Sequence, residues 1–403
     1  MQQVNKLDLD LLHASAEAFD LICLSHLRWD FVYQRPQHLM SRFGAQGRVF
    51  YIEEPVFDGG PARYDLRSRE NNIWVATPHL PAGLSAVDVV HEQKRLLDNL
   101  IAQYGVDTTV LWYYTPAALP FTRHLEPLIV VYDCMDELSL FKGASLQLSR
   151  LETELFDRAD LVFTGGPSLY AAKRSRHPHV YLFPSSIDTA HFGQARMLME
   201  PADQAGIPHP RLGFFGVIDE RLDIEMLKGV AEARPDWQLV MIGPVVKIDP
   251  ADLPRAHNIH YLGMRPYQAL PAYLSGWDVA LLLFARNEAT RFISPTKTPE
   301  YLAGGKPVVS TPIRDVVHLY GEQELVQIAA TVPEFVAAVE TAFDQGSSQE
   351  WLRRVDNVLA QNSWDCTWSD MRQLLDTVIS RPNLVSNEKK MAWQKDETIC
   401  SII

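Results

Sequence analysis

The chain of 403 residues, 47% of them hydrophobic and 10% aromatic, carries material for about two to three domain cores, which excludes a disordered polymer. Its formal net charge of −13, with no long run of Lys or Arg, excludes a nucleic-acid partner. Four cysteines at 23, 134, 366 and 400 have neither metal nor disulfide-framework spacing and read as reduced thiols of a cytoplasmic protein.

The leader holds Asp8, Asp10, Glu17 and Asp20 and no long apolar run, so no signal peptide is expected. Residues 21–25 read as a first strand. A loop crowded with His26, Arg28, Trp29, Gln34 and Arg35 follows, then a helix over 36–42 in which His38 reads as structural. Further strands are expected at 49–52, 73–76, 110–113, 129–132, 161–164 and 180–183. Asp133 and Asp136 follow the fourth of these; such a carboxylate pair serves either as general base or as a helix N-cap. The polar stretch 200–211, broken by three prolines, is the best linker candidate, with the domains divided as 1–195, linker 196–210 and 211–364. A second strand set is expected at 212–215, 237–242, 259–262, 279–283, 308–310 and 325–328, with helices at 223–233 and 267–274. A last helix over 365–382 is expected to cross back to the first domain, and the polar end, 383–403, to be a loosely held tail. No apolar run is long enough to cross a bilayer.

This alternation implies an α/β protein of two Rossmann-like, doubly wound domains facing a central cleft, where the strand C-terminal ends bind ligands. Within the second domain, Gly216 ends a strand and Arg221 lies in the turn before a helix. The Arg221 guanidinium suits either a bidentate contact to a diphosphate or an ion pair with Asp219 or Asp223. The segment 294–311 is the most informative. Pro299 suits a helix first turn, Gly304 and Gly305 end that helix, and Pro307 blocks its continuation. Lys297 and Glu300 then share one short helix N-terminus, a cation and a carboxylate suited to a ligand bearing both phosphate and ribose.

That segment resembles the donor-binding motif of GT-B-fold glycosyltransferases, in which a Glu on a short helix holds the nucleotide ribose. The resemblance continues through residues 131–136, Glu152 and Glu154, 159–163, 182–192, 215–223 and 362–364, in the order seen in retaining family-4-like enzymes. Residues 29–39 are similar to a bacterial subgroup tied to polysaccharide assembly. The match spans roughly residues 20 to 380. It departs at Phe292, where many relatives have a second Glu, at Ser185-Ser186 in place of Asn-Gly, and in lacking a His within 111–116.

The resemblance implies a cytoplasmic, metal-independent, retaining enzyme that moves a sugar from a nucleotide diphosphate, UDP favoured, to a glycan or lipid-linked acceptor. It admits peripheral membrane association. No cofactor is implied beyond the nucleotide-sugar donor as substrate. The catalytic expectation falls on Arg221, Lys297 and Asp133, and the donor-binding one on Glu300, Lys297, Arg221 and Gly216. His26, Trp29, Arg35 and Asp136 are assigned to the acceptor side, with Trp29 offering a flat face to a sugar ring. For Arg35 the structural alternative is a tie to backbone carbonyls, and for Trp29 the filling of a gap. A nucleotide-sugar 2-epimerase and a catalytically silent binding module of the same fold are the alternatives.

Overall fold

The computed structural model describes residues 19–380; the leader with Asp8 and Asp10, the tail expected over 383–403 and Cys400 lie outside the described residues. Apolar runs such as Val49–Ile52, Ile129–Cys134 and Leu161–Thr164 are buried throughout, as strands covered by helices on both faces must be. The first sheet comprises β1 (Asp20–Leu24), β2 (Val49–Ile52), β3 (Val56–Asp58), β4 (Arg63–Arg69), β5 (Ile73–Pro81), β6 (Thr109–Tyr113), β7 (Ile129–Cys134), β8 (Leu161–Thr164) and β9 (Val180–Leu182). Its order is β3-β5-β2-β1-β6-β7-β8-β9, all parallel, with β4 added antiparallel to β5. Strands β3 and β4 were not expected. They carry no long apolar run, and β4 has a charged residue at every second position, Arg63 and Asp65 exposed and Arg67 and Arg69 half-buried.

The second sheet holds β10 (Arg211–Phe215), β11 (Gln238–Ile242), β12 (Ile259–Gly263), β13 (Val279–Leu282), β14 (Val308–Ser310) and β15 (Val326–Ile328). Its order is β12-β11-β10-β13-β14-β15, all parallel. In both sheets the winding reverses beside the first strand, at β1/β6 and β10/β13, which is where open α/β sheets take ligands.

The division between the domains needs correction. Ile187, Phe192, Ala195 and Ile207 are packed in the second domain's core, so the crossing lies just after β9 and not at 196–210. The expected linker is instead fastened down. Gln204 is fully buried; its Oε1 accepts from Trp277 Nε1 at 2.9 Å and its Nε2 donates to the Tyr273 carbonyl at 2.9 Å. The chain returns at Ser363, which bridges Ile187 beside the outgoing crossing. From there the helix Trp364–Ile379 buries Trp364, Met371 and Leu375 in the first domain's core. Between the domains Tyr33 stacks on Tyr267 at 4.4 Å, and within the first domain His38 stacks on Trp364 at 4.5 Å. Asp315 of the second domain accepts hydrogen bonds from the backbone N–H (3.0 Å) and hydroxyl of Ser168 in the first.

A second correction concerns Arg35 and Asp133, expected on the acceptor side and in catalysis respectively. Arg35 begins the helix Arg35–Gly44, and Asp133 lies within β7. Both are buried against each other, with Arg35 Nε 2.9 Å from Asp133 Oδ2, while Arg35 Nη1 donates to the Phe183 carbonyl at 2.8 Å. The pair ties helix, sheet and crossover together, the structural role weighed for Arg35 from sequence. Removing one member strands a buried charge, so Arg35→Met or Asp133→Asn should cost about 3–5 kcal/mol in urea unfolding. A loss below about 1 kcal/mol in both variants would return the pair to the cleft.

Candidate active site

Between the two sheets' C-terminal ends lies a cavity of about 1030 Å³. Its second-domain wall is built around two glycines. Gly216 follows β10 at φ +139 and Gly243 follows β11 at φ +147, and a Cβ on Gly243 would sit 1.8 Å from the Gly216 carbonyl oxygen. A Cβ on Gly216 would sit 2.0 Å from Lys297 Cε, so the Lys297 side chain runs directly over that backbone. Lys297 opens the helix Lys297–Ala303, which Tyr301 pins to the end of β10 by accepting from the Phe215 N–H at 3.0 Å. The helix's seven residues end at Gly304, and Gly305 (φ +73) supplies the left-handed turn beyond it, as its sequence punctuation predicts.

Glu300 sits one turn along that helix. Its residue is 9% exposed and lines the cavity, yet no protein donor among the described residues bonds its carboxylate. Burial pushes the carboxyl pKa up, against the pull of Lys297, and burial pushes the Lys297 ammonium down, against Glu300. Arg221 reaches the same cavity. Its Nε and Nη2 grip Asp219 at 3.0 and 2.7 Å, so the ion-pair alternative is present, while Asp223 instead caps the following helix by accepting from the Met226 N–H. The pair holds the guanidinium side-on, with its carbon 5.5 Å above the ring of Phe141 in the facing domain. Lys247, missed from sequence, brings a third cation, its ammonium 5.5 Å from the same ring. Nothing in its local sequence distinguishes it from a solvated lysine; it lines the cavity from a residue at φ +62.

Across the cavity stand His26, Trp29 and Asp136. Burial lowers the His26 pKa to about 4, leaving a neutral imidazole whose Nδ1 is buried without a hydrogen-bond partner among the described residues. The Trp29 ring packs edge-on to Tyr51 at 5.0 Å, and its backbone N–H donates to Glu53 at 2.8 Å. The Asp136 carboxyl is pushed up to about 6 by burial, with Arg221, Lys297 and Lys247 pulling it down and Asp219 pushing it further up. The structure therefore brings together Gly216, Arg221, Lys297, Glu300, His26, Trp29 and Asp136, and leaves Arg35 and Asp133 out. Phe292, which stands where a second Glu was sought, packs against the first domain's core. Among the described residues no group of His, Cys, Asp and Glu side chains could hold a metal, and no helix is long and apolar enough to cross a membrane.

Comparison with known proteins agrees with this fold. Residues 209–345 match a family model described as Glycosyl transferases group 1. The chain is 24% identical over 294 residues to a Bacillus subtilis (strain 168) protein assigned provisionally as the teichuronic acid biosynthesis glycosyltransferase TuaH, covering 68% of this chain and 74% of that one. Sucrose-phosphate synthase from Thermosynechococcus elongatus superposes with a TM-score of 0.66 at 15% identity, over 90% of this chain and 99% of that one. A trehalose-6-phosphate structure from E. coli bound with UDP-2-fluoro glucose gives 0.64 at 13% identity, over 89% and 99%. Anabaena Alr3699/HepE in complex with UDP gives 0.62 at 12% identity, over 89% and 100%.

The glycine crossing yields a direct test. Gly216→Ala would set a methyl into the Lys297 stem at a positive φ, displacing the ammonium without removing it. Inorganic pyrophosphate, followed by calorimetry, should bind the variant about ten-fold more weakly, the loss expected for one charge-assisted contact. Unchanged affinity would show that Lys297 does not face the anion.

Proposed function

We propose that this chain, a glycosyltransferase of GT-B fold, transfers a sugar from a UDP-sugar to a glycan or lipid-linked acceptor in cytoplasmic polysaccharide biosynthesis, with retention and without a metal ion. The observation that carries the reading is Glu300: a buried carboxyl with no protein partner, on the same short helix as the cation that crosses Gly216. A buried, unpaired carboxyl is costly to leave so, and two ribose hydroxyls would satisfy it. From there the diphosphate extends over Gly216 toward Lys297, Arg221 and Lys247. The teichuronic acid biosynthesis named for the Bacillus relative and the UDP named for two solved structures support the class of pathway and of donor.

In the reaction the bond between the sugar's anomeric carbon and the diphosphate oxygen breaks, and negative charge grows on the leaving oxygen. Cations already positioned for that charge stabilise it more than they stabilise the bound donor, each worth about 2.7–4 kcal/mol. Asp219 keeps Arg221 aimed by bonding two of its nitrogens. Asp136 faces these cations from the other domain; once ionised, it accepts the acceptor's hydroxyl proton in a hydrogen bond and orients the hydroxyl for attack.

Glu300→Gln should weaken UDP binding by about 1.5–3 kcal/mol in calorimetry, because an acceptor of hydrogen bonds is exchanged for a poorer one. The same titration in EDTA should give the wild-type affinity unchanged. Full affinity in the variant, or loss on chelation restored by magnesium, would overturn the ribose and cation assignments in turn. A second expectation follows from pH. The Asp136 carboxyl, raised to about 6, is ionised only above that value, so kcat/KM should rise through about pH 6. Asp136→Asn should be slower and lose that limb; an unaltered profile would remove Asp136 from the reaction.

A further inference from the structure

Asp136 is held on both flanks by one stretch of the first domain, residues 165–173, which leaves the end of β8 and runs through the helix Pro167–Lys173. On one flank the Gly165 N–H donates to the Cys134 carbonyl at 2.9 Å. A Cβ on Gly165 would sit 3.0 Å from Met135 Cα, so this turn lies directly on the backbone that leads into Asp136. On the other flank Lys173, at the far end of the helix, meets the Glu137 carboxylate at 2.6 Å. Lys173 is itself buried and fixed, with Glu152 at 2.7 Å and Arg176 in turn donating to Glu152.

The second domain grips the same stretch. The Asp315 carboxylate accepts from the N–H and the hydroxyl of Ser168 in the helix's first turn. A Cβ on Gly166 would overlap that carboxylate and sit 2.6 Å from Ser294 Cβ, and Ser294 leads into the helix that carries Lys297 and Glu300. Asp315 is 1% exposed, and its Oδ2 has no hydrogen-bond partner among the described residues. Its side chain therefore bonds Ser168 alone, and it does not line the cleft cavity. Contacts thus run from Asp315 and the donor-side segment, through residues 166–168, to both neighbours of Asp136.

Resting on the reading of Asp136 as the group that orients the acceptor hydroxyl, the geometry points to Asp315 as a positioning residue. It docks residues 165–173 on the second domain and so keeps the Asp136 carboxyl facing the cations of that domain. Such a placement needs a restraint, because a carboxyl taken out of water gains by moving back to it. Burial raises the Asp136 pKa to about 6 although Arg221, Lys297 and Lys247 pull it down, with Asp219 adding to the rise. On its own side Glu137 and Lys173 are paired with each other, and His26 across the cavity is neutral. Released from the dock, Asp136 loses burial, the largest of these causes, together with the pull of the cations. Its pKa then falls toward the ordinary aspartate value of about 3.9.

The test titrates the full chain and follows the aspartate carboxyl carbons by NMR, with Asp136→Asn identifying the signal. The wild-type midpoint should lie near about 6, and Asp315→Ala should lower it by about 1 pH unit or more. Asp315→Asn keeps an oxygen that accepts from Ser168 and should restore the wild-type midpoint. Ser168→Ala loses the hydroxyl but keeps the N–H bond, threatens the fold less, and should fall between. In calorimetry each variant should bind UDP within about two-fold of wild type, since the donor contacts lie elsewhere on the second domain. Four results would each overturn the proposal: a midpoint unmoved in both alanine variants, a wild-type midpoint already at the ordinary value, Asp315→Asn displaced as far as Asp315→Ala, or UDP binding lost in step with the midpoint. The midpoints do not depend on what Asp136 does in transfer. An Asp136→Asn enzyme with an unaltered pH profile therefore condemns the reading of Asp136 alone, whereas unmoved midpoints condemn the role of Asp315 alone.

Discussion

Everything on the donor side depends on one close approach: the Lys297 stem lying on the bare Cα of Gly216, itself pressed against the backbone of Gly243. Three chain segments from two strands and a helix meet there with no Cβ between them. Only glycine permits it, both for space and because φ is positive at both strand ends. The approach brings a cation to the tip of β10 and, because Tyr301 fastens the same helix to Phe215, sets Glu300 at a fixed offset from it. The helix is too short to be stable alone, so its position is inherited from the sheet it is pinned to.

The two walls of the cleft divide the electrostatic work. The second domain supplies Arg221, Lys247 and Lys297, with Asp219 restraining the first of them. The first domain supplies Asp136, a neutral His26 and the Trp29 ring. The Asp136 loop is tethered through Glu137, whose carboxylate meets Lys173 at 2.6 Å within a buried network that includes Glu152. Glu152, one of the residues on which the family resemblance was first read, thus shapes the cleft without entering it.

Most of the fold was legible because parallel strands buried on both faces are uninterrupted apolar runs, and those runs stand out in the chain. The edge strands β3 and β4 were not, since their partners lie on one side, β3 is only three residues long and β4 is charged at every second position. The Lys297–Glu300 segment was legible because Pro and Gly punctuate it. Arg35 and Asp133 were misplaced for a physical reason: a charged residue near a strand end has the same local sequence whether it points out to a cleft or inward to a partner 98 positions away. Lys247 was missed because only the folded chain brings its ammonium to the Phe141 ring that Arg221 also meets. The Gly-poor, proline-rich stretch before β10 looked like a tether, yet buried contacts from Gln204 hold it fast.

The two chain crossings between the domains run side by side. Ile187 bridges Ser363, and Ser186 Oγ meets Thr367 Oγ1 at 2.5 Å. Two crossings joined by one bridge and one hydroxyl pair form a narrow waist, the geometry of the pin of a pair of shears. Displacement about such a pin grows with distance from it, so a small rotation at Ser186 becomes a larger sweep where Phe141 meets Arg221 and Lys247. The spacing between a donor held by one blade and an acceptor held by the other is thereby adjustable from a place that touches neither.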